Sequence, residues 1–208
     1  MLKEIHWLGN SGFRWDGPKT IYFDPYKPAV KDKIADIILV SHEHFDHFSR
    51  NDIMAISSPR TCLFGSFEVV KNLKSAASSL KEVKAMSAGD TVTVLDIAIR
   101  AVTGYNIGKP FHPKDSGKLG YIVTMGGVSV YHAGDTDLIP EMNGYRCDVA
   151  LLPVGGTYVM NAEEAAEAAL IIKPKFAVPM HYGSPKQAQK FRDLLKGKIE
   201  VVILKKES

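Results

Sequence analysis

The residues best suited to chemistry lie in one short segment, SHEHFDHFS at positions 41–49. It places His42, His44, Asp46 and His47 within six positions, directly after an apolar run. Imidazole and carboxylate groups are ligands that zinc, manganese and iron accept in proteins. On an extended chain His42 and His44 project to the same side, and Asp46 and His47 follow a bend. The sequence as a whole supplies more ligands than one tetrahedral ion uses, so Asp46 and His47 can serve a second ion.

Two later segments have the same form, an apolar strand that ends in a possible ligand. Residues 128–131 are followed by Asp135, and Gly134 before it permits a tight turn of the backbone. Residues 176–180 are followed by His181. One loop seldom completes a metal site, so we expect the three strand ends to converge on one edge of the fold.

The elements that must position these residues follow from hydrophobic period and turn residues. Strands are predicted at 4–8, 12–15, 20–23, 37–40, 62–64, 120–125, 128–132, 149–154, 176–180 and 199–204, and helices at 49–57, 66–79, 162–173 and 185–195. Residues 82–103 alternate with period two around a turn at Gly89-Asp90, and Gly126-Gly127 predicts a two-residue hairpin. Mixed strands and helices with several hairpins favour the α+β class, with two packed sheets and helices outside.

The motifs together resemble the metallo-β-lactamase superfamily. SHEHFDH matches its HxHxDH signature, and HAGDTD and PMHYG are similar to its downstream aspartate and histidine motifs. FDP at 23–25 and LLPVGG at 151–156 extend the resemblance over nearly the whole chain. It implies a four-layer αββα sandwich as a single domain over residues 1–208, with a dinuclear site at one edge of the sheets. HAGDT and the EEAAE segment after it are similar to the branch related to ascorbate-6-phosphate lactonase.

The resemblance also implies a role for each ligand. His42 and His44 would bind the first metal, and Asp46, His47 and His181 would bind the second. Asp135 would bridge the two ions. Two divalent ions are therefore expected, with Zn²⁺ first and Mn²⁺ or Fe²⁺ as alternatives.

Two positions stay open in this assignment. The superfamily supplies another first-metal histidine after a central strand, where AVTGYN ends in Asn106 in this chain. His112, six residues later, could complete the site, or else Asn106, water or nothing does so. Asp24 could accept a hydrogen bond from a ligand histidine and orient it, or it could cap a turn.

The expected reaction is hydrolysis by a hydroxide held between the two metals, with Asp46 and Asp135 as the catalytic carboxylates. Small esters, lactones, thioesters or phosphodiesters are the expected substrates. Tyr158 and Tyr182 are expected to contact the substrate, and Lys109 and His112 are further candidates. The alternatives are a nuclease or phosphodiesterase acting on nucleic acid, and an iron-binding redox module that performs no hydrolysis.

Composition favours the small-molecule hydrolase. Of 208 residues, 45% are hydrophobic and 24% charged, and the net charge of +3 offers no long phosphate track for nucleic acid. RNA-processing members of the superfamily carry an extra arm or inserted domain, which a chain of this length is not expected to hold. The sequence shows no signal peptide and no membrane span, so a cytoplasmic location and a small-molecule partner are expected.

Overall fold

The computed structural model describes residues 1–28 and 33–207. Its strands are β1 (Ile5–Gly9), β2 (Gly12–Trp15), β3 (Ile21–Phe23), β4 (Ile37–Val40), β5 (Cys62–Gly65), β6 (Glu82–Ala85), β7 (Thr91–Val94), β8 (Ile97–Thr103), β9 (Leu119–Met125), β10 (Val128–His132), β11 (Val149–Pro153), β12 (Phe176–Met180) and β13 (Glu200–Val201). Its α-helices are α1 (Arg50–Ala55), α2 (Phe67–Leu73), α3 (Ala162–Ile172) and α4 (Pro185–Leu195).

The strands form two sheets of similar design. The first has the order β1-β2-β3-β4-β5-β6, and the second has the order β13-β12-β11-β10-β9-β8-β7. Each sheet starts with antiparallel hairpins and continues with parallel strands, from β3 to β6 in the first sheet and from β10 to β13 in the second. The carboxyl ends of β4, β10 and β12 carry the three predicted ligand segments.

Strand β4 shows why continuous apolar runs suit this fold. Ile37 and Leu39 belong to the core between the sheets, whereas Ile38 and Val40 belong to a second core on the outer face. Ile53 of α1 packs in that outer core. A strand whose one face packs on the second sheet and whose other face packs on a helix is buried on both faces, so its pattern is apolar throughout rather than alternating.

The predicted αββα layering is confirmed. Phe13 and Ile37 of the first sheet share one core with Ile99 and Tyr121 of the second. Helices α1 and α2 cover the outside of the first sheet, and α3 and α4 pack on β11 and β12 of the second. In the part of the chain that the structure describes, no helix is long and apolar enough to cross a membrane.

The Gly89-Asp90 turn lies between two strands, as predicted, but it leads from β6 of the first sheet to β7 of the second. The nearby hairpin turns at Leu95-Asp96, where both residues have positive φ. Two local predictions are wrong. Helix α2 ends at Leu73 rather than at residue 79, because a 3₁₀ segment rich in serine follows. The last strand is only two residues long. The Gly126-Gly127 hairpin is confirmed.

Candidate metal centre

The segment after β4 turns back on itself at the edge of the first sheet. The backbone amide of His47 donates to the carbonyl of His44 at 3.0 Å, which closes a tight turn. His42 and His47 are fully buried. His42 Nε2 lies 3.1 Å from His44 Nδ1, so the two rings present these nitrogens to one point.

Two glycines let the other strand ends approach this turn. Gly134, before Asp135, has a φ of +61°, and a Cβ there would lie 2.6 Å from the carbonyl oxygen of Leu119. Gly155, after β11, lies against the residue that follows β12, and its Cβ would meet the carbonyl oxygen of His181 at 2.3 Å. Heavy atoms do not approach so closely, so both positions require glycine.

His112 reaches the site from the loop between β8 and β9. Its ring centroid lies 5.1 Å from those of both His42 and His44, and the side chain is buried. Asn106 stands behind it, with Asn106 Oδ1 2.8 Å from His112 Nδ1. Asn106 also donates from Nδ2 to the carbonyl of Tyr158 at 2.9 Å. Of the two candidates for the open position, the structure therefore brings His112 to the other histidines and places Asn106 where it orients that ring.

The possible ligands form two groups joined by one carboxylate. The histidine trio is His42, His44 and His112, and the mixed trio is Asp46, His47 and His181. Asp135 lies between them: its Oδ1 is 3.3 Å from His47 Nε2, and its Oδ2 is 3.2 Å from His181 Nε2 and 3.6 Å from His112 Nε2. Asp46 Oδ2 is 3.6 Å from the Nε2 atoms of both His47 and His181.

These distances between ligand atoms are those expected when several ligands bind the same cation. Two ligand atoms that bind one tetrahedral zinc ion lie about 3.3 Å apart, given metal–ligand distances near 2.0–2.1 Å. Among the described residues, six buried side-chain polar atoms have no hydrogen-bond partner, and four of them face this site: His47 Nε2, His112 Nε2, Asp135 Oδ1 and His181 Nε2. Unpaired buried polar atoms are costly and rare, so a cluster of four indicates that a bound cation completes the site.

Asp24 connects the two trios from behind. Its Oδ2 accepts from His47 Nδ1 at 2.7 Å and from Ser41 Oγ at 2.6 Å, and its Oδ1 accepts from the backbone amide of Ser41 at 2.7 Å. Ser41 Oγ in turn lies 2.9 Å from His42 Nδ1. Because the carboxylate only accepts, the proton of His47 is on Nδ1 and that of His42 points to Ser41. In both rings Nε2 is left for a metal.

The trios differ in charge. Burial lowers the pKa of His42 well below its usual range and that of His112 to about 4. Burial and the Lys118 ammonium lower the pKa of His44. The histidine trio is therefore neutral near pH 7, which is the form that binds metals.

The mixed trio holds protons instead. Burial opposes charge on both of its histidines, but the Asp135 and Asp24 carboxylates raise the pKa of His47 well above its ordinary value. Asp135 likewise raises the pKa of His181 to about 9. Burial would raise the pKa of Asp135, yet the charges on His47 and His181 hold it well below the usual range. A cation entering here displaces protons.

Sequence reasoning missed several polar residues around the ligands. Lys118 is buried, donates to Glu43 Oε1 at 3.0 Å and lies 3.3 Å from His44 Nε2. Asn10 donates to Asp46 Oδ2 at 3.0 Å. A single lysine or asparagine in a turn is usually exposed, so the sequence carries no signal for either. Ser41 directly precedes His42, so its place in the sequence could have indicated a role beside the ligands.

Lys109 forms an ion pair with Asp137. Its ammonium lies 2.5 Å from Asp137 Oδ1 and donates to the carbonyl of Val159 at 2.8 Å. Asp137 Oδ2 also accepts from the backbone amide of Ile107 at 2.8 Å. These contacts fix the loop that carries His112 against the loop after β11.

Two cavities adjoin the ligands. One of about 400 Å³ is lined by His44, Phe45, Asp46, Phe111, His112, Asp135, Tyr158 and His181, and we call it the aromatic cavity. The other, of about 440 Å³, shares Tyr158 and His181 with it and includes Tyr182, whose ring stacks on Trp7 at 5.2 Å. Tyr158 thus borders the metal site itself, whereas Tyr182 lies in the neighbouring cavity. A larger depression of about 610 Å³ lies along α4 and contains none of the ligands.

Comparison with known proteins agrees with this geometry. A family described as a β-lactamase superfamily domain matches residues 4–181. A UPF0173 metal-dependent hydrolase of Thermococcus kodakarensis is 36% identical over 98% of this chain and 96% of its own length. One from Archaeoglobus fulgidus is 32% identical over 97% and 96%.

Solved structures give the same result. A proposed metal-dependent hydrolase of Parabacteroides distasonis is 34% identical, with a TM-score of 0.86 over 97% of this chain and 93% of that one. A metallo hydrolase of Ignicoccus hospitalis, 23% identical with a TM-score of 0.81 over 98% and 95%, shares the fold. The chain therefore belongs to the metallo-β-lactamase superfamily and is one of its UPF0173 metal-dependent hydrolases.

Proposed function

We propose that this hydrolase holds two divalent metal ions, with zinc as the first candidate, and cleaves a small ester, lactone, thioester or phosphodiester. The observation that carries the proposal is the arrangement of the ligand atoms. Two trios of potential ligands face one central carboxylate at separations of 3.1–3.6 Å, and four of the atoms are buried without partners. A pair of divalent ions would supply a water of lowered pKa and polarise the substrate oxygen.

The chain's own residues supply orientation and proton transfer. Asp24 and Ser41 fix the rings of His47 and His42 from behind, so that little reorganisation is needed when ions enter. Asp46 lines the aromatic cavity and is held by Asn10, so its carboxylate is placed to accept the proton of the attacking water. Tyr158 borders the same cavity and is positioned to contact the substrate.

Hydrolysis of this kind requires no covalent protein intermediate. Water adds its hydroxyl group to the acyl carbon or phosphorus, the bond to the leaving oxygen or sulfur breaks, and the second proton of the water ends on the leaving group. None of the described residues lining the two cavities is Lys or Arg, which disfavours the nuclease alternative.

The test is turnover by protein stripped with a chelator and then reloaded with Zn²⁺, Mn²⁺ or Fe²⁺. The panel consists of neutral esters, lactones, thioesters and phosphodiesters. We expect turnover only after reloading, and we expect Asp46→Asn and Asp135→Asn to reduce it to background. Asp148→Asn is the control and should retain activity, because this carboxylate accepts hydrogen bonds from Ser129 at the start of β10, the end of the strand away from Asp135. Equal turnover by stripped and reloaded protein would contradict the proposal.

A further inference from the structure

Resting on the proposed function, we propose that the aromatic cavity is a subsite for an uncharged apolar group. The substrate is then an ester, lactone or thioester with an aliphatic or aryl acyl group, and it carries no phosphate. Three rings that border the cavity are exposed: Phe45 is 77% exposed, Phe111 is 41% exposed and Tyr158 is 48% exposed. Grouped exposed apolar rings beside a site mark a place where a ligand is bound.

The rings are fixed to the ligand loops. Phe45 lies between His44 and Asp46 in the chain, and Phe111 directly precedes His112. An apolar group held by these rings would thus have its reacting carbon next to the ligand atoms. The position of the rings is set by the same turns that place the metal ligands.

The rings also contact neighbouring aromatic residues. Phe111 meets Tyr158 edge to face with centroids 4.6 Å apart, and Phe45 meets Tyr26 edge to face at 6.2 Å. The backbone carbonyl of Tyr158 accepts from Asn106. Rings that already pack against neighbours lose less entropy when a ligand binds than rings without such contacts.

The charged groups near the cavity do not favour a phosphorylated substrate. Two lysines near the ligands are both engaged in ion pairs, Lys118 with Glu43 and Lys109 with Asp137. None of the described residues lining the cavity is Lys or Arg. A phosphate group distant from the scissile bond would therefore have no cation to bind it, whereas an alkyl chain or aryl ring would be covered by aromatic surface.

Binding of straight-chain carboxylates tests the subsite independently of turnover. Calorimetry on the metal-loaded protein compares acetate, butanoate, hexanoate and octanoate with inorganic phosphate and glycerol phosphate. We expect affinity to rise by about fourfold for each added methylene that is buried, and glycerol phosphate to bind no tighter than phosphate. Equal affinity along the series, or tighter binding of glycerol phosphate, would overturn the proposal.

Variants locate the effect. The double change Phe45→Ala and Phe111→Ala should remove most of the dependence on chain length, and Phe111→Leu, which keeps an apolar side chain, should retain much of it. Phe67→Ala is the matched control, because Phe67 is 67% exposed on α2 and does not line the cavity. Retention of the full dependence in the double variant would refute the subsite.

Turnover of 4-nitrophenyl esters of the same acids separates the two proposals. If the binding series rises with chain length but no ester is cleaved, the subsite is supported and the proposed hydrolysis of acyl compounds is contradicted. If esters are cleaved at rates that do not depend on chain length and the binding series is flat, the proposed hydrolysis is supported and the subsite is contradicted.

Discussion

Replacing Asp24 with asparagine should weaken metal binding while the chain still folds. Asparagine has the same shape and tolerates the φ of +42° at this position. The aspartate accepts three hydrogen bonds, from the amide and hydroxyl of Ser41 and from His47. An amide cannot accept all three, since one end of it is a donor.

Either orientation of the new amide has a cost. If the NH₂ group faces the backbone amide of Ser41, two donors lie within about 3 Å of each other, and the buried unpaired amide costs about 1–3 kcal/mol. If it faces His47, the ring must accept at Nδ1 and carry its proton on Nε2, the atom that faces Asp46 and Asp135. Loss of such an orienting partner typically lowers metal affinity by about 10–100-fold.

Competition with a chromogenic chelator measures the affinity, and thermal unfolding measures stability. Asp148→Asn is the matched control, because Asp148 Oδ2 accepts from the amide of Ser129 at 2.8 Å and from its hydroxyl at 2.9 Å, with no histidine involved. The control should lose stability without loss of metal affinity. The reasoning is refuted if Asp24→Asn binds both ions with wild-type affinity.

The remaining predictions concern the other ligands. His112→Ala should lose one ion per chain, and Asn106→Ala should lower the affinity for that ion about tenfold. Metal content after gel filtration checks both variants. Unchanged content in His112→Ala would place this ring outside the coordination sphere. The pKa of His181 is raised to about 9 in the metal-free protein, so this side chain is protonated at lower pH. A metal ion must displace that proton, and the metal affinity of the mixed trio should therefore rise with pH up to about 9. Calorimetry at pH 7.5 in buffers of different ionisation enthalpy should therefore detect proton release on metal loading, and no release would contradict the charge assignment. Gly155→Ala should displace His181 and lose the ion of the mixed trio. Gly183→Ala is the control and should keep that ion, because an added Cβ there meets nothing within 4 Å. Equal metal content in the two variants would show that the close approach of Gly155 to His181 is unimportant.

The sequence predicts the layers and the convergence of ligands for a physical reason. Continuous apolar runs such as Ile37–Val40 occur where both faces of a strand are buried, and parallel strands bring their carboxyl ends to one edge. Residues after these strands must then meet, as Asp135 and His181 do with the turn after β4.

Loop paths and hydrogen-bond partners could not be predicted. His112 and Asn106 are six residues apart in one loop, and only the fold of that loop decides which side chain faces His42. The orienting chain from Asp24 through Ser41 joins residues whose types fit many other roles. The Gly89-Asp90 turn was placed correctly along the chain, but a local pattern does not tell which sheet the next strand joins.

Anomalous diffraction from crystals of the metal-loaded protein would locate the ions directly. We expect two peaks per chain, one among the histidine trio and one among the mixed trio, with Asp135 contacting both. Absence of a peak at either trio, or a single ion with His112 or His181 turned away from it, would rule out the dinuclear site.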